Sequence, residues 1–219
     1  MSIQKRILVW CEMSTKTGEA ARARNALTQL YDSPVLEMRL FEILEQIRDK
    51  WVQAAEEKGE KYHLHGLCAV LGYDPKKHED YFRMPVGADV FAGRDVYLDS
   101  PEAPQALEQA MEEDGAVLID GEGKIQHSGR YINVNVGEIY ESSSEARATY
   151  SRLKDTANAG TRHLSIVAAS TELPDLLFCA LKSDHPQIRI FKEGQVVHST
   201  VPEDENYKPK EVPYLRAVA

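Results

Sequence analysis

Apolar and polar positions alternate along this chain in blocks that read as a mixed set of strands and helices. Residues 6–13 are nearly all apolar and predict a buried strand; 14–18 form a polar turn, and 19–30 carry Ala-rich helical spacing. Ser33-Pro34 then pairs a capping residue with a proline at the first helical position. Leu36, Leu40, Ile43, Leu44, Ile47, Trp51 and Ala54 follow at helical spacing, and Gly59 ends the run. Residues 64–72 are almost continuously apolar, as a central strand buried on both faces would be.

Residues 73–84 are polar and contain Pro75, so they read as a loop or flap. Residues 86–98 hold short extended pieces interrupted by Gly87 and Gly93. A second Ser-Pro pair at 100–101 opens an amphipathic helix marked by Ala103, Ala106, Leu107, Ala110 and Met111. Two hairpins are expected, one over 117–127 turning at 121–123, the other over 187–200 turning at 192–194. Between them, 129–136 reads as extended, 142–156 as one helix, 160–172 as another, and 175–182 as a buried strand.

This order predicts an α/β fold with a mixed central β-sheet covered by helices, not a strictly alternating Rossmann fold. The chain carries neither a Gly-x-Gly-x-x-Gly fingerprint nor a P-loop. It divides into an N-terminal strand–helix extension (1–34), a main domain (35–200) and a polar, proline-punctuated tail (201–219).

Composition narrows the class. At 219 residues, 42% hydrophobic and 28% charged, the chain is an ordinary globular protein. Its net charge of −9 argues against a nucleic-acid surface, while leaving room for a small basic pocket. Cys11, Cys68 and Cys179 are widely separated, and the last two lie within apolar runs, which suits reduced core thiols in a cytoplasmic protein. No stretch reaches membrane-spanning length, so no membrane partner is expected.

Two strings carry the candidate chemistry. Asp114-Gly115-Ala116 opens the apolar run 117–119 and presents a carboxylate beside unobstructed backbone, suited to a metal or a ligand hydroxyl. Gly160-Thr161-Arg162-His163 opens a helix and offers backbone N–H groups, a hydroxyl, a guanidinium and an imidazole to one anion. His63 and His65 form a weaker pair at a strand start, and Lys76, Lys77 and His78 a basic, solvated cluster.

In this order the strings resemble the diadenylate cyclase domain of DisA-type proteins, whose motifs are Asp-Gly-Ala and Gly-Thr-Arg-His-Arg, over roughly residues 35–200. The resemblance implies condensation of two ATP molecules into cyclic di-AMP, with two pyrophosphates released. It implies catalytic roles for Asp114, Gly115, Ala116, Arg162 and His163, and nucleotide contacts from Gly129, Gly160, Thr161, Arg162, His163 and Ser183. It further implies Mg²⁺ or Mn²⁺ held by Asp114 and His163, and a homodimer or larger homo-oligomer whose sites face one another. The chain departs from the pattern at Leu164, which stands where the family has its second arginine; Lys182 and Arg189 are alternative cations. Asp184, His185 and Pro186 also depart from the family after Ser183. A silent nucleotide sensor, or a cyclase with another nucleotide, are the alternatives.

Overall fold

A six-stranded mixed sheet forms the centre of the computed structural model, which describes residues 34–58, 66–155, 160–182 and 187–201. Its spatial order is β3-β2-β1-β4-β5-β6, with β1 Leu67–Tyr73, β2 Ala116–Asp120, β3 Ile125–Arg130, β4 Leu177–Leu181, β5 Ile188–Lys192 and β6 Gln195–Ser199. Only β1 and β2 run parallel; every other neighbouring pair is antiparallel. The expected N-terminal strand and helix, Cys11, His63, His65, Ser183 and the tail lie outside the described residues.

Helices cover both faces of this sheet. Helix α1, Pro34–Lys58, buries Leu40, Phe41, Ile43, Leu44, Ile47 and Trp51, the stripe its spacing predicts. Phe41 meets His198 of β6 edge-on at 4.8 Å, and Trp51 Nε1 donates to Glu108 Oε1 of α3 (Ala103–Ala110) at 3.2 Å. On the opposite face, α4 (Val136–Ser142), α5 (Ser144–Asp155) and α6 (Thr161–Glu172) close a core with Cys68, Val70, Ala116, Leu118, Phe178, Ala180 and Phe191. Cys68 and Cys179 are buried and free; burial pushes the Cys68 thiol up to about 12, against the pull of the Arg162 guanidinium. Among the described residues no helix is long and apolar enough to cross a membrane.

Several local expectations change. Residues 73–84 are not a loop: α2 spans Pro75–Phe82. Asp74 caps it by accepting from Lys76 N at 2.9 Å, Pro75 presets its first turn, and His78 and Phe82, four apart, are its buried positions. Lys76 and Lys77 are exposed as expected, but His78 is buried, with Nδ1 accepting from Asp74 N at 3.0 Å and Nε2 3.2 Å from Asp175 Oδ2. The helix expected over 142–156 is α5; a further helix, α4, precedes it where none was expected, and Ser143 between them is extended (φ −104°, ψ 107°), its Oγ capping α5 at Ala146 N. Strand β3 ends at Arg130, and residues 86–98 contribute an isolated bridge at Tyr97 rather than strands, with a second bridge just before them at Pro85. The second hairpin turns on two residues, Glu193 and Gly194, both at positive φ, as a tight hairpin twist requires.

A polar network fixes the loop beside β3. Asp89 Oδ1 accepts from Ser128 N at 3.0 Å and Phe91 N at 3.2 Å, while Oδ2 lies 2.8 Å from His127 Nδ1 and 3.5 Å from Arg130 Nη2. Burial works to raise the Asp89 carboxyl, but the His127 contact and the two backbone donors outweigh it and hold the group below its ordinary value.

Candidate functional site

The sheet's one parallel pair determines where the two motifs meet. Because β1 and β2 point the same way, Gly66 and Asp114, each just before its strand, lie at the same edge of the sheet. Strand β4 runs antiparallel to β1, with Leu67 opposite Leu181, so its carboxyl end and Lys182 arrive at that edge too. Helix α6 begins at Thr161 beside them, with Gly160 as an extended N-cap.

Arg162 joins these parts. Its Nη1 donates to Gly66 O at 2.9 Å and its Nη2 to Asp114 Oδ1 at 2.9 Å. The same Asp114 oxygen accepts from Gly115 N at 2.9 Å. The carboxylate is thus held in place while its side chain stays 62% exposed. The fork geometry of a guanidinium makes this double contact possible; a lysine ammonium would reach one partner as a point charge.

The glycines divide into two kinds. Gly115 (φ 105°) and Gly129 (φ 65°) adopt left-handed backbone. A Cβ on Gly115 would lie 2.7 Å from Arg130 N, and one on Gly129 would lie 2.6 Å from Gly87 O. These two glycines let backbone meet backbone, locking the start of β2 to the end of β3 and the loop at 86–88. Val86 N donates to Gly129 O at 2.8 Å, and Ala88 N to Glu113 Oε2 at 3.1 Å. Gly160, by contrast, has nothing among the described residues within 4 Å of where its Cβ would stand. Thr161 is exposed there, whereas Ala116 is 1% exposed and belongs to the core beneath.

His163 sits apart from this edge. Its buried ring packs against Phe191 at 6.0 Å, with Nε2 3.3 Å from Arg189 Nη1. The structure therefore brings Asp114, Gly115 and Arg162 together but turns His163 toward β5. Leu164 lies one residue further, its carbonyl accepting from Tyr140 Oη at 3.3 Å.

Three residues near the site carry no motif. Tyr131, Met84 and Val86 are 50%, 52% and 48% exposed, and Tyr131 N donates to Met84 O at 2.8 Å. Val86 Cγ2 would stand 2.8 Å from a Gly115 Cβ. They sit in short irregular segments, Met84-Pro85-Val86 and Tyr131-Ile132, where no periodicity announces them. The available signal was Tyr131's position directly after Gly129-Arg130 at the hairpin's end.

The donor set bears on a metal. Among the described residues no group of three or more His, Cys, Asp or Glu side chains gathers at one point. Mg²⁺ typically takes one or two protein carboxylates and completes its shell with phosphates and water, so Asp114 alone fits a cation delivered with a triphosphate. His163 does not fit such a role through Nε2, which faces a guanidinium.

No protein-family model and no curated protein matches this chain. Among solved structures it is similar to a double cysteine variant of DacA from Staphylococcus aureus, at 15% identity and a TM-score of 0.41, covering 74% of this chain and 89% of that one.

Proposed function

We propose that this chain is a diadenylate cyclase that condenses two ATP into cyclic di-AMP and two pyrophosphates across a two-fold face between protomers. One observation carries the reading: Arg162 of the Gly-Thr-Arg-His string donates at 2.9 Å to Asp114 of the Asp-Gly-Ala string, 48 residues away. A helix mouth with a guanidinium and a strand start with a carboxylate then form one edge, a phosphate binder beside a hydroxyl and metal anchor.

The reaction needs positioning and charge neutralisation more than covalent help. In this mechanism, Asp114 orients the ribose 3′-hydroxyl of one ATP toward the α-phosphate of the ATP on the facing protomer. The new bond joins the 3′-oxygen to the α-phosphorus, the α–β phosphoanhydride bond breaks, and pyrophosphate leaves with its electron pair. The hydroxyl proton passes to Asp114 or to water. Arg162, Thr161 and the open N–H groups of α6 bind the departing phosphates, with Ser183 as a further contact. Asp114 would hold Mg²⁺ or Mn²⁺, which when bound would further neutralise the phosphate charge. The exposed ring of Tyr131 offers a purine a stacking surface. Each protomer holds one ATP, so two sites must face each other and the working form is a homodimer or larger assembly.

Leu164 favours a second reading. Where the family places a second arginine, this chain has no cation, which suits a site that binds nucleotide and turns it over slowly or not at all. Incubation with ATP and Mg²⁺ or Mn²⁺, followed by mass identification of products, separates the readings. Cyclic di-AMP supports the cyclase; bound but unconverted ATP supports the sensor; a different product identifies another cyclase. No binding and no product with ATP overturns the diadenylate cyclase and the ATP sensor, and the same result with GTP, CTP and UTP overturns the third.

A further inference from the structure

Strand β5 reads Ile188-Arg189-Ile190-Phe191-Lys192, and Arg189, set between two buried isoleucines, is 1% exposed. A guanidinium in such surroundings is costly unless its donors are used. The register makes room for it: Arg189 lies opposite Ala180 on β4 and Ser199 on β6, both small. Its face of the sheet is the one α6 covers, and Nη1 comes within 3.3 Å of His163 Nε2. The His163 ring is buried as well, with Phe191 against it at an interplanar angle of 64°.

The direction of that contact follows from elementary chemistry. An arginine side chain stays protonated and only donates. Nε2 of His163 is therefore the acceptor, and the ring proton sits on Nδ1. This ties the first turn of α6 to β5. Arg162, the preceding residue, starts its reach to Gly66 and Asp114 from that same turn.

We propose that Arg189 is a positioning residue of the Asp114–Arg162 site: by holding His163 in its Nδ1-protonated form it sets the α6 turn from which Arg162 reaches across. Arg189 touches neither nucleotide nor metal in this scheme. It acts through His163, at the point where Leu164 leaves α6 without a second cation of its own. The inference about the turn rests on geometry; its consequence for ATP rests on the function proposed above.

The test has two arms, both on the full chain. In the first, long-range ¹H–¹⁵N spectra of the His163 imidazole, assigned by their loss in His163→Gln, report which nitrogen carries the proton. The expected result is a bare Nε2 in the parent, a shift toward Nε2–H or a mixture in Arg189→Met, and return toward the parent pattern in Arg189→Lys. A proton on Nε2 in the parent, or an Arg189→Met spectrum identical to the parent's, overturns the inference. In the second arm, calorimetry measures Mg²⁺–ATP binding. Arg189→Met should weaken it roughly ten- to a hundredfold, the loss typical when the partner that orients a binding side chain is removed. Combined with Arg162→Lys it should cost little more than Arg162→Lys alone, since both act on one contact. Additive losses would mean that Arg189 does not work through Arg162, and would also overturn the inference. If Arg189→Met does not fold, the parent spectrum and the Arg189→Lys variant decide. If the parent binds no ATP, the proposed function fails while the tautomer arm still judges Arg189.

Discussion

Arg162 and Asp114 form an ion pair at 2.9 Å in which the guanidinium is 35% exposed and the carboxylate 62%. A pair this open to water contributes about 0–1 kcal/mol to stability. Exchanging it for a phosphate contact therefore costs the fold little. The pair reads as a resting state of the site, each partner held near its working position by the other.

Asp114→Asn keeps the side chain's size and removes its charge. Product formation should fall to near zero, ATP binding should persist in part, and thermal stability should change by less than about 1 kcal/mol. Mass detection of product and a melting curve check this together; unchanged product would remove Asp114 from the mechanism.

Arg162→Lys keeps the charge but loses the fork that spans Gly66 O and Asp114. ATP affinity should drop at least about tenfold, in line with a charge-assisted contact worth roughly 1.5–3 kcal/mol, while circular dichroism stays that of the parent. Equal affinity in the two proteins would make Arg162 a structural clasp only.

Leu164→Arg restores the cation of the family pattern. If the site is weakened by its absence, tighter ATP binding or faster turnover should follow, worth at best roughly 1.5–3 kcal/mol. Leu164 is only half-buried, so the longer side chain should reach solvent without unfolding the helix. A large drop in melting temperature would instead show that the position cannot take a cation.

Gly115→Ala and Gly160→Ala should separate the two kinds of glycine. At Gly115 the left-handed backbone alone costs a side chain about 1–3 kcal/mol, and the Cβ would also press on Arg130 N and the Gly129 carbonyl carbon at 2.7 Å. Gly160 is extended, with nothing among the described residues near its Cβ position, and the same change there should stay within about 1 kcal/mol. Denaturant melts of the two variants check the ordering, and a reversal would mean that the contact between β2 and β3 is not as tight as described.

Asp89 predicts part of the acid limb of stability. Its folded value is depressed below the ordinary 3.8, so its contribution is fully present above about pH 3.8 and is lost as pH falls through the folded value. Asp89→Asn should thus be less stable than the parent at neutral pH, and the gap should narrow as pH drops below 3.8. A gap that stays constant to pH 2.5 or so would mean that the carboxylate's charge is not what His127 and the backbone donors recognise.

How much of this was legible beforehand follows from what spacing can report. Helix α1, the two hairpins and the start of α6 were readable because their signals are local: a Ser-Pro cap, a 3.6-residue stripe, a turn between apolar runs. Asp114 and Arg162 were singled out by residue type, and their meeting follows from strand order, which no local signal encodes. Helix α2 was missed because only His78 and Phe82 mark its buried side, too few for a stripe. Helix α4 was missed because Ile139 is its one fully buried position, too little for a stripe. His163 was grouped with Arg162 through the Gly-Thr-Arg-His string they share, although successive helical residues project about 100° apart and so face different neighbours.

The position of β1 has a consequence for how the Asp114–Arg162 site is assembled during synthesis. This strand pairs with β2, 48 residues on at Cys68–Ala116, and with β4, whose Ala180 lies opposite the same Cys68. Contacts this distant in sequence form late and slowly. Gly66 and Asp114 emerge from the ribosome long before Arg162, and a chain released before β4 lacks the partner that closes the sheet beside them. Under the proposed function, nucleotide binding would thereby be coupled to completion: a truncated chain ending before α6 has no Arg162 to bridge its two earlier pieces.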